Sequence, residues 1–432
     1  MTRFDATTVQ TRQAKLALLW TSFHGVVLVA AGEPVSIPGG HDQTFPWVPH
    51  PDYYWLTGSR RAGGIMAFDP NEGWVSFVVP ISAAERLWDG ADTEPDGRPI
   101  EEFEGWLAAR SGVPHVWLGS VPARAIADSP ERARVQEWLD SVRRIKDCAE
   151  VDLLRLATAA TFAGHLRGRA VAQPGVSERR VQIELEAEMF RHGADTTGYG
   201  TIVGVGHRSA ILHGHPGEDT VKNGEFVLVD AGGAIAGYTA DITRTFVAGS
   251  AGDIRHEALL ALVETAMDAS IAAATAGTEW HDVHRRSAEV IADGLVALSI
   301  LRGDPRELAD QGVAALFFPH GVGHMLGLGV RDVGGRAVGR PAGRMCCGAR
   351  PRVDMPLQPG FVMTVEPGVY FVDALLDDPD NRSRFADSVN WGEVQRWRGI
   401  GGVRLEDNIL ILNEGPPENL SSAIPRRLPF QA

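Results

Sequence analysis

A chain of 432 residues is longer than one ordinary hydrophobic core can fill, so two domains are expected. An apolar content of 44% and a charged content of 22% belong to a folded globular protein and exclude a disordered one. The 41 basic and 55 acidic residues leave a net charge of −14, which argues against nucleic acid or anionic membrane as partners.

The opening segment, MTRFDATTVQTRQAKL, is polar where a secretory signal needs an apolar run, and nothing downstream approaches a membrane span. A cytoplasmic protein is therefore expected. Cys346 and Cys347 are adjacent and Cys148 is remote, so no disulfide framework is indicated. Only Lys15, Lys146 and Lys222 are lysines, which leaves little room for Schiff-base or P-loop chemistry.

FHGVVLVAAG and GWVSFVVP are short apolar runs bounded by Gly and Pro, and residues 130–142 have helical spacing. They predict a smaller N-terminal α/β domain over 1–145. A long helix follows, with Val151, Leu154, Ala157 and Ala160 on its apolar face. It opens a second, α+β domain over 146–432, with further helices at 178–192, 256–276 and 281–298. Four runs rich in β-branched residues, EFVLVDAGG, DITRTFVAG, FVMTVEPGVYF and GGVRLEDNILIL, predict strands. The stretch from Gly334 to Pro356, rich in Gly, Pro and Arg, reads as a long functional loop.

The candidate acids sit on those strands. Asp230 ends one run and Asp241 begins the next, so an antiparallel pairing puts both carboxylates on one face. Alone, the pair reads first as turn and strand-edge aspartates. If it is buried, it requires a divalent ion or a buried arginine. PHGVGHMLGLG then offers His320 and His324, VEPGVYF offers Glu366, and GVRLEDNILIL offers Glu406. Oxygen ligands with one imidazole suit manganese, cobalt, iron or zinc better than a thiolate zinc site. His281 and His284 read as a half-exposed helical pair.

The order Asp, Asp, His, Glu, Glu within these words resembles the pita-bread metallopeptidases, the family of methionine aminopeptidase, aminopeptidase P and prolidase. FFPHGVGHMLGLGVRDVGG, LQPGFVMTVEPGVYF and WRGIGGVRLEDNILIL are closest to the prolidase branch, as is HPDYYWLTG in the first domain. The resemblance implies a C-terminal pita-bread (creatinase/aminopeptidase-like) domain, a homodimer, and two divalent ions, manganese first, acting on Xaa-Pro dipeptides. It places Asp230 on one ion, His324 and Glu366 on the other, and Asp241 and Glu406 on both. It implies attack by a water held between the ions, with Glu366 shuttling its proton.

The resemblance also assigns outer residues. His213 in ILHGHPG lies beside the substrate, Tyr199 in TGYGTIV orients a ligand, and Arg404 supports the ligand carboxylates. Arg352 pairs with the terminal carboxylate of the dipeptide. Arg331 is a departure, because relatives read VHDVG where this chain reads VRDVG. Two other readings use the same residues: an aminopeptidase acting on longer peptides, or a related amide or ester hydrolase. A metal-free binding scaffold is a third.

Overall fold

The computed structural model describes residues 4–91, 93, 95–120, 129–249 and 253–427. The first three residues of the polar opening segment lie outside them. The chain divides into two compact units, 1–143 and 144–432. Among the described residues no helix is long and apolar enough to cross a membrane.

The first unit is built on a five-stranded mixed sheet. Its order is Arg98–Pro99, Gly73–Val78, Ile65–Asp69, Val26–Ala30 and His115–Gly119. The VVLVA strand is buried along its whole length, which explains its unbroken apolar run. It pairs antiparallel with Ile65–Asp69 and parallel with His115–Gly119.

The second unit opens on the predicted long helix, Cys148–Val171. A capping box starts it: the Asp147 carboxylate accepts from the Glu150 amide at 3.0 Å and the Glu150 carboxylate from the Asp147 amide at 3.1 Å. Val151, Leu154, Ala157 and Ala160 are buried, as their spacing requires. Three further helices follow at Glu178–Arg191, Ile254–Ala273 and Trp280–Ala297.

The four strand-like runs become the sheets of this unit. Phe226–Ala231 lies between Ile202–Val205 and Ile242–Val247, antiparallel to both. The FVMTVEPGVYF run splits at Pro367, whose missing N–H cannot continue a ladder, into Val362–Val365 and Gly368–Tyr370. The GGVRLEDNILIL run splits correspondingly into Gly402–Arg404 and Asp407–Leu410. Val365 pairs with Asp407 and Gly368 with Arg404, so one register runs through both ladders. That register sets Glu366 and Glu406 opposite each other in the gap.

Behind this gap lies a buried anchor. Arg244 donates to the Asp407 carboxylate at 2.7 Å and to the carbonyls of Thr243, Glu406, Ile424 and Pro425, satisfying its guanidinium in an almost dry position. Removing one partner of such a pair strands a buried charge. Asp407→Ala is therefore expected to cost about 3–5 kcal/mol, read as a lowered midpoint in urea unfolding. A loss under about 1 kcal/mol would contradict the anchoring role.

Candidate metal centre

Thr243 pairs with Asp230 across the Phe226–Ala231 and Ile242–Val247 strands. Asp241 lies two residues before Thr243 and so shares its face, which is how both aspartates reach one side of the sheet. The backbone of Thr243 in turn bridges Glu406. His324 is brought up by a close backbone approach: a Cβ on Gly323 would lie 2.0 Å from the Thr364 carbonyl oxygen. The Thr364 amide then donates to the His324 carbonyl at 2.9 Å. Glycine is needed there because two backbone segments touch, which explains the glycine-rich word around the histidine.

Asp230, Asp241, His324 and Glu406 are each less than a tenth exposed. One ligand atom from each of Asp241, His324 and Glu406 lies within 4.8 Å of the others, a grouping that could hold a metal ion. Glu366 stands at the edge of this group, its Oε1 3.9 Å from His324 Nε2. Asp230 is on the other side, accepting from Tyr199 Oη at 2.6 Å and from Arg404 at 2.6 Å. Thr243 Oγ1 donates to Glu406 at 2.8 Å, and Asn408 holds the Asp241 backbone through bonds of 3.0 and 2.6 Å.

His324 is prepared as a ligand. Its Nδ1 lies 3.0 Å from the Met325 carbonyl, an oxygen that can only accept. Nδ1 therefore carries the hydrogen and Nε2 faces the carboxylates, 3.4 Å from Asp241.

The electrostatics show what the site attracts. Burial lifts the Asp230 carboxyl above its ordinary value, with Arg404 opposing and Asp241 adding to the rise. Burial, then Asp241 and Glu366, drive Glu406 well above the carboxylate range. Glu366 is pushed up to about 7, chiefly by burial, against His324 and Arg404. Burial alone would lower His324, but Asp241 and then Glu366 reverse the sign and hold it above its ordinary value. Each shift draws positive charge into one small volume. Four carboxylates face a single buried guanidinium, Arg404.

These groups form the floor of a cavity of about 980 Å³. All ten residues expected from the sequence line it: Tyr199, His213, Asp230, Asp241, His324, Arg331, Arg352, Glu366, Arg404 and Glu406. His213, Arg331 and Arg352 are on its exposed part. The neighbouring Arg340 and Arg344 are held instead by Glu279 and Asp354.

Two supporting roles, those of Tyr370 and of His320, escape a reading from sequence. Arg404 donates to Tyr370 Oη at 3.1 Å, and that oxygen lies 2.9 Å from His320 Nε2. His320 Nδ1 is 2.9 Å from the Gly321 carbonyl, so it must be the donor and Nε2 accepts from the tyrosine. Burial, then Arg404, depresses His320 to about 3 and keeps the ring neutral. The only signals were position: His320 shares the word of His324, and Tyr370 follows Glu366 by four residues. His281 and His284 correct another expectation. They are buried, not half-exposed, because they fall on the same inward face of their helix as Ala288 and Ile291.

Residues 152–413 match the model of metallopeptidase family M24. The chain belongs to that family. Among M24 relatives, an Xaa-Pro dipeptidase of Xanthomonas campestris pv. campestris is 33% identical over 408 residues, covering 89% of each chain. Among solved structures, an aminopeptidase of Pseudomonas aeruginosa aligns with a TM-score of 0.79 at 27% identity, over 99% of this chain and 97% of that one. Zinc-substituted aminopeptidase P of Escherichia coli in complex with product aligns with a TM-score of 0.79 at 25% identity, over 98% and 97%. The second unit thus has the pita-bread fold, and the chain is a peptidase of the M24 branch that holds prolidase and aminopeptidase P.

The Glu366 shift makes its own contribution to the pH dependence of the metal-free protein. Its folded value of about 7 exceeds the ordinary 4.5, so the folded state holds the proton more tightly. The stability this confers is full below pH about 4.5 and is lost as pH rises through about 7. Between pH 5.5 and pH 7.5 the melting temperature of chelator-treated protein should therefore shift toward lower stability relative to a Glu366→Gln variant, which lacks this titration, and manganese should raise the melting temperature of the unsubstituted protein at pH 7.5. A melting temperature that ignores manganese at pH 7.5 would contradict this.

Proposed function

We propose that this chain hydrolyses Xaa-Pro peptides, with Xaa-Pro dipeptides as the smallest substrates. Two divalent ions, manganese first, are held by Asp230, Asp241, His324, Glu366 and Glu406. What carries the reading is the charge imbalance of the cavity floor, where three buried carboxylates and the partly buried Glu366 meet one guanidinium. Oxygen donors with one imidazole fit hard or borderline divalent ions. The dipeptidase relative supports the choice of substrate. The family resemblance adds a cytoplasmic homodimer.

Divalent ions bound there supply Lewis acidity and make water nucleophilic at neutral pH. The chain's own residues do the rest. Glu366, at the edge of the ligand group beside His324, takes a proton from the attacking water and passes it to the proline nitrogen, which carries no hydrogen of its own. Arg404 and Tyr199 fix both oxygens of Asp230. Thr243 fixes one oxygen of Glu406. Tyr370 and His320 keep Arg404 in place. His213, on the exposed part of the cavity, donates to the developing oxyanion. Arg352 receives the carboxylate of the terminal proline through its planar fork.

Manganese-loaded protein is expected to release proline from Ala-Pro, and Glu366→Gln to lower kcat at least about 100-fold. Arg352→Gln should instead raise KM about tenfold or more, because it removes a charge-assisted bond made by bound substrate. Proline release from Ala-Pro, Leu-Pro and Gly-Pro no faster than in the Glu366→Gln control would refute the reading.

A further inference from the structure

Arg331, Arg336, Arg350 and Arg352 line the same cavity as the carboxylate floor. Among the described residues none of the four forms an ion pair, whereas Arg340 and Arg344 are neutralised by Glu279 and Asp354. In a chain of net charge −14 this is a pronounced local surplus of positive charge.

The backbone puts that surplus on one side. The Gly335–Arg336 and Val353–Asp354 strands are parallel, with Arg336 paired to Asp354. Alternate residues of an extended chain share a face, so Arg352 falls on the side of Asp354 and Arg336. Burial alternates from Ala349 to Val353, with Arg350 and Arg352 both exposed, which brings Arg350 to that side too. Asp354, the acid of that face, is already taken by Arg340 and Arg344.

Arg331 is held by its neighbour. Asp332 forms a buried ion pair with Lys146 at 2.9 Å, the two side chains being 2% and 0% exposed, and also accepts from the Leu328 amide. Arg331 and Arg352 are close enough that Arg331 adds to the lowering that burial imposes on Arg352.

A dipeptide ending in proline presents one carboxylate, which Arg352 answers. Three guanidiniums then remain without a counter-ion. We propose that the cavity also takes Xaa-Pro peptides extended by an acidic residue, Xaa-Pro-Glu and Xaa-Pro-Asp, whose additional carboxylate is received by Arg331, Arg336 and Arg350. This rests on the Xaa-Pro reading above and widens it. The chemistry is the same hydrolysis: the bond between the Xaa carbonyl carbon and the proline nitrogen breaks. A hydroxyl from water joins the carbon, a proton joins the nitrogen, and Pro-Glu or Pro-Asp leaves. Guanidinium forks suit carboxylates, and at exposed arginines the attraction is screened by salt.

The test compares Ala-Pro-Glu with its uncharged isostere Ala-Pro-Gln on the manganese-loaded full chain. The kcat/KM ratio is expected to favour glutamate about tenfold and to shrink in about 0.5 M salt. The double variant Arg336→Gln, Arg350→Gln should bring the ratio toward one. Calorimetric binding of the product dipeptides Pro-Glu and Pro-Gln gives a readout independent of turnover, with Pro-Glu expected to bind more tightly by a similar factor. Equal binding of the two products, or a glutamate preference that survives the double variant, would overturn the inference. If no peptide is turned over, the Xaa-Pro reading fails, and the product-binding ratio still decides for or against the arginine wall.

Discussion

Mutual repulsion among Asp230, Asp241, Glu366 and Glu406 is the constraint to which the rest of the second unit answers. Two unit charges about 4 Å apart interact by about 4 kcal/mol at the effective dielectric of a protein. A floor of four such groups cannot all be ionised beside one arginine. Either protons or cations must enter, and the raised values of Asp230, Glu366 and Glu406 show the protonated side of that choice. His324 shows the same pull from the other direction, rising against its own burial.

A floor of that kind stays folded because the scaffold behind it is satisfied. Pro367 interrupts one strand, the opposite strand breaks at the same register, and Glu366 and Glu406 occupy the gap facing each other. Directly behind, Arg244 joins Asp407 to the carbonyls of Thr243 and Glu406. Arg404, Tyr370 and His320 form a second line, a chain of hydrogen bonds running from Asp230 to the Gly321 carbonyl. Repulsion at the surface of the cavity is thus offset by neutral or paired groups one layer deeper, and their hydrogen bonds orient the ligand carboxylates.

Much of this was readable from the residues. The antiparallel arrangement of Asp230 and Asp241 follows from two β-branched runs with a turn between them, and the structure pairs Thr243 with Asp230 accordingly. Each acid sits beside a strand end or break because a carboxylate there can point into a cavity while its apolar neighbours stay in the core. Position-specific support was not readable. Tyr370 and Thr243 look like ordinary strand residues, and what makes them supports is contact with Arg404 and Glu406 across long sequence separations. His320 is similar, since its partner Tyr370 is fifty residues away. His281 and His284 misled for the opposite reason: a polar residue type suggested a wet face, but helical phase placed them inward. The register of the short ribbon carrying Arg336 and Arg352 was hidden too, because two-residue strands leave no periodicity to detect.

The most direct test of the central claim is anomalous diffraction at the manganese edge from crystals grown with the ion. Two manganese ions per chain are predicted on the cavity floor, held among Asp230, Asp241, His324, Glu366 and Glu406. A floor that stays empty in manganese, its carboxylates sharing protons instead, would contradict the account.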